Sequence, residues 1–185
     1  MPTAIIRPTS TTSQTGWPSS NIHTIIGDND EGTGVTQNST TCNFTGVLAD
    51  LDSSLETATI NSFTISLTGQ AGRAGASTVQ MSLVHAEDDA FAEENESFTG
   101  TSSTQTTSAT TKQQDGESAL TWEYINNCSV KIEPNNQGIT AYELFVTVDY
   151  TAASGYGNNV NGVAPANIAK VNGVETANIE KVIGV

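Results

Sequence analysis

The chain has 185 residues, enough for one ordinary domain with an appendage, and a domain of that size buries a core without metal or disulfide staples. Twenty acidic residues against six basic ones set a net charge of −14, which excludes the basic face that DNA or an anionic lipid surface requires. No run of about 18 apolar residues marks a membrane-spanning helix. The charge is unevenly placed. Residues 1–150 hold 18 acids and 4 bases, whereas residues 151–185 hold Lys170, Lys181, Glu175 and Glu180 and are neutral. An acidic body with a neutral Val/Ile/Asn-rich end reads as a soluble part and an attaching part.

In chain order, MPTAIIRPTS lacks the apolar stretch of a signal peptide, so synthesis without export of the usual kind is expected. Strands are expected at TAIIR (3–7), NIHTII (21–26), TTCNF (40–44) and ATIN (58–61). Phe63, Ile65 and Leu67 alternate, as do Val79, Met81 and Leu83. SVKIE (129–133) is another short run. In AYELFVTVDY, Tyr142, Leu144, Val146, Val148 and Tyr150 form one set, opposite Glu143, Thr147 and Asp149. That is period two with β-branched and aromatic residues, the pattern of a half-buried strand. Turn-rich stretches separate these runs: GDNDEGTG (27–34), GQAGRAG (69–75), QQDGES (113–118) and EPNNQG (133–138). SFTGTSSTQTTSATT (97–111) reads as a polar loop or a solvent-facing strand. One helical turn is expected at LTWEYINN (120–127), capped by Thr121. About seven to nine strands with so little helix predict an all-β fold, a jelly-roll-like antiparallel β-sandwich over residues 1–150. A linker, TAASGYGNN (151–159), and a short C-terminal β-repeat tail (160–185) would follow.

Catalytic signatures are scarce. His23 and His85 each alternate within strand-like runs and read as structural. The chain lacks G-x-S-x-G, a phosphate-cradling glycine loop with lysine, and zinc-type Cys/His spacing. No enzyme activity and no cofactor are therefore expected. Cys42 and Cys128 make no framework; they are either buried free thiols or one disulfide. Asp28, Asp30 and Glu31 are candidate Ca²⁺ ligands, and Glu87, Asp88, Asp89, Glu93 and Glu94 form a second acidic segment. The bland reading of both is a solvated acidic surface, and the EF-hand spacing is not matched. Trp17, in TGWPSS, is the candidate glycan contact, with packing at one end of the sandwich as its bland alternative. Trp122 reads as packing, beside Tyr124 and Ile125.

The order of pieces carries a resemblance. Arg7-Pro8 opens the chain, Gly16-Trp17 makes a turn, and His23 to Asp28 forms an acidic-ended segment. Leu120 to Asn126 and Phe145 to Tyr150 follow. Over residues 1–150 this resembles a β-sandwich domain of structural proteins of tailed, especially marine, bacteriophages. It departs where Leu120 replaces a usual aromatic and where Asn127 replaces a usual apolar residue. The resemblance implies a virion component at the particle surface, a capsid decoration or head-fibre protein, with no catalytic residues. Its partners would be other virion proteins.

The end of the chain repeats on an eleven-residue period: VNGVAPANIAK, VNGVETANIEK, then VIGV. Such Asn-Gly-Val repeats resemble those that close various phage structural proteins. Pro165 and the Asn-Gly pairs argue against a coiled coil, and Asn-Gly is a strong turn signal. Val160, Val163, Ile168, Val171, Val174, Ile179, Val182 and Val185 would supply the apolar face. Two and a third units are too few to bury it alone. The tail is therefore expected to assemble with other copies, a trimer being natural, or to anchor on another virion protein. The alternative function is a tail-fibre-associated receptor or carbohydrate-binding module that contacts host glycan.

Overall fold

The computed structural model describes residues 2–72, 76–86, 90–135, 138–152, 170–171 and 174–175. Alternation in the two longest strands sets the plan. β5 (Thr59–Ala71) places Phe63, Ile65 and Leu67 inward, and β10 (Ile139–Thr151) pairs with it so that Val148, Val146 and Leu144 face the same way. β1 (Thr3–Ile6) and β3 (Val35–Thr36) both pair with the far side of β10, and β8 (Ser103–Thr106) pairs with β5. The first sheet thus has five strands, in the order β1-β10-β5-β8 with β3 also on β10.

The second sheet runs β2-β4-β9-β6-β7, again antiparallel throughout. Its members are β2 (Pro8–Thr15), β4 (Asn43–Leu48), β6 (Ser77–His85), β7 (Ala90–Phe98) and β9 (Cys128–Asn135). Phe44, Val79, Met81, Leu83, Val130 and Ile132 meet the inward set of the first sheet in one core. Phe63 packs edge-on to Phe91, with ring centroids 5.9 Å apart. The architecture is the antiparallel β-sandwich that the alternation predicts.

Two local expectations are corrected, and two strands form where the sequence pattern marks none. NIHTII is not a strand: α1 (His23–Ile26) forms there, because Ile22 and Ile26, four apart, reach the core on one helix face. PTSTTSQT has no apolar alternation, yet β2 forms there. Thr and Ser favour sheets without advertising a core face, and Pro8 stands at the first position, where its missing N–H costs nothing. The acidic segment at Glu93 and Glu94 is strand β7, bracketed by buried Phe91 and Phe98. Finally, the register of β10 shifts between Ala141 and Glu143. Before this bulge Ile139 and Ala141 face in; after it Leu144 does. Tyr142 therefore leaves the inward set and joins Glu143 on the outer side.

The expected helical turn is present as α2 (Trp122–Asn126), with the Tyr124 N–H donating to the Thr121 hydroxyl at 3.1 Å. Arg7 stands where the chain leaves β1 in the first sheet for β2 in the second. Near the end of the chain, β11 (Lys170–Val171) and β12 (Val174–Glu175) pair antiparallel, Val171 opposite Val174. Of the expected linker, Thr151 instead ends β10, and residues 153–159 lie outside the described residues, as do the assembly residues Val160, Val163, Ile168, Ile179, Val182 and Val185.

Candidate functional site

The outer face of the first sheet follows from the same registers. With Leu67, Ile65 and Phe63 inward, Ser62, Thr64, Ser66 and Thr68 face outward along β5. Phe145 stands opposite Ser66, and Glu143 opposite Thr68. On the other side, Thr106 pairs with Ser66 and Thr104 with Thr68. Two rows therefore cross the strands: Phe145, Ser66, Thr106, then Glu143, Thr68, Thr104. Hydroxyls bond across them, Ser66 to Thr106 at 2.9 Å and Thr68 to Thr104 at 2.8 Å. A third hydroxyl pair, Thr36 with Thr140 at 2.9 Å, joins β3 to β10. Ser66 and Thr68 are only 3% and 2% exposed although they face away from the core. Their neighbours overhang them, so the face has a sunken hydroxyl floor.

Arg7 organises one side of this floor. Its Nε and Nη2 both donate to Glu143 Oε1, at 3.2 and 2.6 Å. Its guanidinium carbon lies 5.5 Å from the centroid of the Phe145 ring. Nη2 also donates to the Asn29 side-chain oxygen. Asn29, a left-handed residue at φ 62°, belongs to the acidic loop 27–34, which Arg7 thereby ties to the sheet. The loop returns to the sheet at Gly34, which packs close to Tyr142: an added Cβ would stand 2.6 Å from the ring, and the ring would have to shift. Phe145 and Tyr142, both half-buried, are the aromatic groups of the face.

The Ca²⁺ candidates serve the loop itself. Asp28 accepts the Asp30 N–H at 3.0 Å and the Thr33 hydroxyl at 3.0 Å, and Asp30 accepts the Gly32 N–H at 2.8 Å. These are turn-capping bonds. Among the described residues no group of three His, Cys, Asp or Glu side chains is placed to hold a metal ion, so Asp28, Asp30 and Glu31 are not brought together as ligands.

Trp17 is the clearest correction at the site level. It is 7% exposed, and its indole N–H donates to the Asn43 carbonyl at 2.9 Å. It offers no free face to a sugar and packs into the core. Gly16 before it has φ 76°, and a Cβ there would run into the Thr41 carbonyl oxygen, so the Gly-Trp pair is a structural turn. Trp122 is half-buried and donates to the Asp52 carbonyl at 3.1 Å. His23 Nδ1 bonds the Thr11 hydroxyl at 2.8 Å. The His85 ring stacks on Tyr124, centroids 4.2 Å apart and planes 5° apart. Neither histidine lies on the outer face just described.

Cys42 and Cys128 are buried free thiols, and burial pushes both up to about 12. Phe44 pairs with Ile132, so Cys42 lies near Pro134, six residues along β9 from Cys128. That is roughly 20 Å of strand, far beyond disulfide reach. In the second acidic segment, Glu94 accepts the Ser108 N–H. Burial and then the Glu94 charge raise the Glu96 carboxyl above its usual range. Glu87, Asp88 and Asp89 lie outside the described residues.

The sheet face was absent from the sequence-based candidates. A signal for it existed: Ser62, Thr64, Ser66 and Thr68 are an unbroken hydroxyl set between the core residues of β5. Arg7, Asn29 and Glu143 gave none, since they are far apart in the chain.

No protein-family model matches the chain, and no curated protein matches it. Among solved structures, it is similar to the C-terminal CBM6 of LamC, a marine laminarinase from Zobellia galactanivorans. The identity is 11%, covering 80% of this chain and 98% of that one, with a TM-score of 0.44. It is similar also to a CBM4 structure at 12% identity, covering 64% and 72%, with a TM-score of 0.40. A third is the enzymatically active domain of tailspike protein 4 of bacteriophage CBA120, at 10% identity, covering 80% and 19%, with a TM-score of 0.41. These are likenesses of strand architecture.

Proposed function

We propose that this chain is a non-catalytic glycan-binding domain displayed on the surface of a tailed-phage particle, and that the outer face of its first sheet is the binding surface. The observation that carries the reading is the sunken floor of paired hydroxyls at Ser66–Thr106 and Thr68–Thr104, flanked by Phe145 and Tyr142. Hydroxyls donate and accept, as sugar hydroxyls do, and an aromatic ring supplies an apolar platform for a sugar's C–H face. The charges on the face favour binding over hydrolysis. Glu143 is neutralised by Arg7. Asp149, the other carboxylate of β10 on this face, is six residues away, roughly 20 Å along the strand. Glycosidase carboxylates stand about 5–10 Å apart.

The particle setting rests on the resemblance carried by Arg7-Pro8, Gly16-Trp17, His23 to Asp28, Leu120 to Asn126 and Phe145 to Tyr150. Decoration of a capsid, a head fibre and a tail fibre all present a domain outward and anchor it at one end. The neutral repeat of residues 160–185 supplies that anchor, through further copies or another virion protein.

A glycan array of bacterial surface polysaccharides tests the binding part. The full chain should bind at least one glycan, and Phe145→Ala should weaken that binding at least about tenfold while its circular dichroism stays that of a sandwich. Silence of the full chain across the array, or unchanged binding by the variant, would overturn it. Deleting residues 157–185 tests the anchor. The shortened chain should stay folded and keep its glycan but no longer oligomerise or join particles.

A further inference from the structure

The inference rests on the glycan-binding reading and concerns which glycans the face admits. Three cations have described side chains, Arg7, Lys112 and Lys131, and Arg7 is the one bonded to this face. Lys131 points outward from the other sheet and pairs with Glu133 at 2.8 Å. Lys112 donates to the Glu117 carbonyl of its own loop at 2.9 Å. Arg7 is already committed, giving Nε and Nη2 to Glu143 and Nη2 also to Asn29. The other described charges on and beside the face are acidic. Asp149 lies in the outer row between Thr3 and Ser62, and Asp28, Asp30 and Glu31 stand in the loop that Arg7 ties down.

An anionic sugar would therefore meet carboxylates, with no uncommitted cation among the described residues of the face to answer its own charge. An uncharged sugar meets groups suited to it. In each hydroxyl pair one O–H is spent on its partner, which leaves one hydroxyl hydrogen and several lone pairs to share. That combination of donor and acceptor fits a sugar hydroxyl and leaves a sulfate or carboxylate poorly served. We infer that the face is specific for uncharged polysaccharides and rejects sulfated or carboxylated ones.

Matched polymers that differ only in charge separate this from the binding reading itself. In affinity electrophoresis the full chain is run through gels holding a soluble β-1,3-glucan, dextran or hydroxyethyl cellulose. Parallel gels hold their sulfated or carboxymethylated counterparts. At least one neutral polymer should retard the protein, and its charged counterpart should do so at least about tenfold less, with the gap narrowing as salt rises. Glu143→Gln, which leaves Arg7 without its carboxylate, should move that ratio toward the charged polymer. Thr104→Val with Thr106→Val, at exposed strand positions that keep β propensity, should lower retention by the neutral one. Equal or stronger retention by the charged polymers, lost with Phe145→Ala, would overturn the specificity and leave the binding face standing. Retention by no polymer would remove both.

Discussion

The two outer faces of the sandwich are built by the same alternation and use it differently. On the first sheet, outward polar groups bond across strands: Ser66 to Thr106, Thr68 to Thr104, Thr36 to Thr140. On the second, the outward groups of β9 bond along one strand, Lys131 to Glu133 at 2.8 Å, and Val47 beside them on β4 is 39% exposed. Cross-strand hydroxyl pairs make a continuous surface of fixed donors and acceptors. A solvated ion pair between neighbours on one strand is a solubility feature that fixes little. A binding surface needs preorganised groups, and only the first face has them in a row.

Four measurements press on this comparison. The largest effect is expected at the shared core, where Phe63→Ala removes a fully buried ring packed on Phe91. Thermal or urea unfolding should show a loss of about 3–5 kcal/mol, and both faces should fail together. Next is Glu143→Ala, which strands the Arg7 guanidinium. With the Glu143 side chain 9% and that of Arg7 24% exposed, the cost should be about 1–3 kcal/mol, and glycan binding should weaken because the loop anchor at Asn29 loosens. A near-neutral result would mean that the first face is no better ordered than the second. Smaller still is the paired change Lys131→Ala with Glu133→Ala on the opposite face. It should alter stability by about 0–1 kcal/mol and leave glycan binding unchanged; a clear loss of binding would move the site to that sheet.

The smallest effect is expected from the thiols. With Cys42 and Cys128 held up at about 12, neither should react with a thiol reagent in the folded protein at neutral pH, while both react after unfolding. The same burial predicts a loss of stability on the alkaline side. Thiols of the unfolded chain ionise from about pH 9.0 upward while the folded ones stay protonated, so unfolding becomes easier from pH 9.0 toward 12. Rapid labelling of the folded chain would contradict the burial of both residues.

Much of the fold was legible because β5, β6 and β9 keep their alternation through the core. The core sets of β5, β6 and β9 stand in the sequence as they do in the sandwich, and Thr121 announced the cap of α2. Short runs misled: Ile22 and Ile26 in NIHTII fit a strand or one turn of helix, and a few residues cannot separate the two periods. β2 and β7 were hidden because hydroxyl-rich and carboxylate-rich strands look like loops. Trp17 misled in the other direction, since a tryptophan in a glycine turn looks exposed until its indole is seen against Asn43.

What the sequence by itself determined is which side chains share a face within one strand. Successive Cβ atoms must point opposite ways, so Phe63, Ile65 and Leu67 entail Ser62, Thr64, Ser66 and Thr68 on the other side. What only the tertiary structure decided is which strands lie together and where the alternation slips. Arg7 reaches Glu143 across 136 positions, Thr104 meets Thr68 across 36, and the bulge at Tyr142 turns an expected core residue to the outside. Those meetings depend on pairing order and on one extra residue in a ladder, which local patterns do not encode.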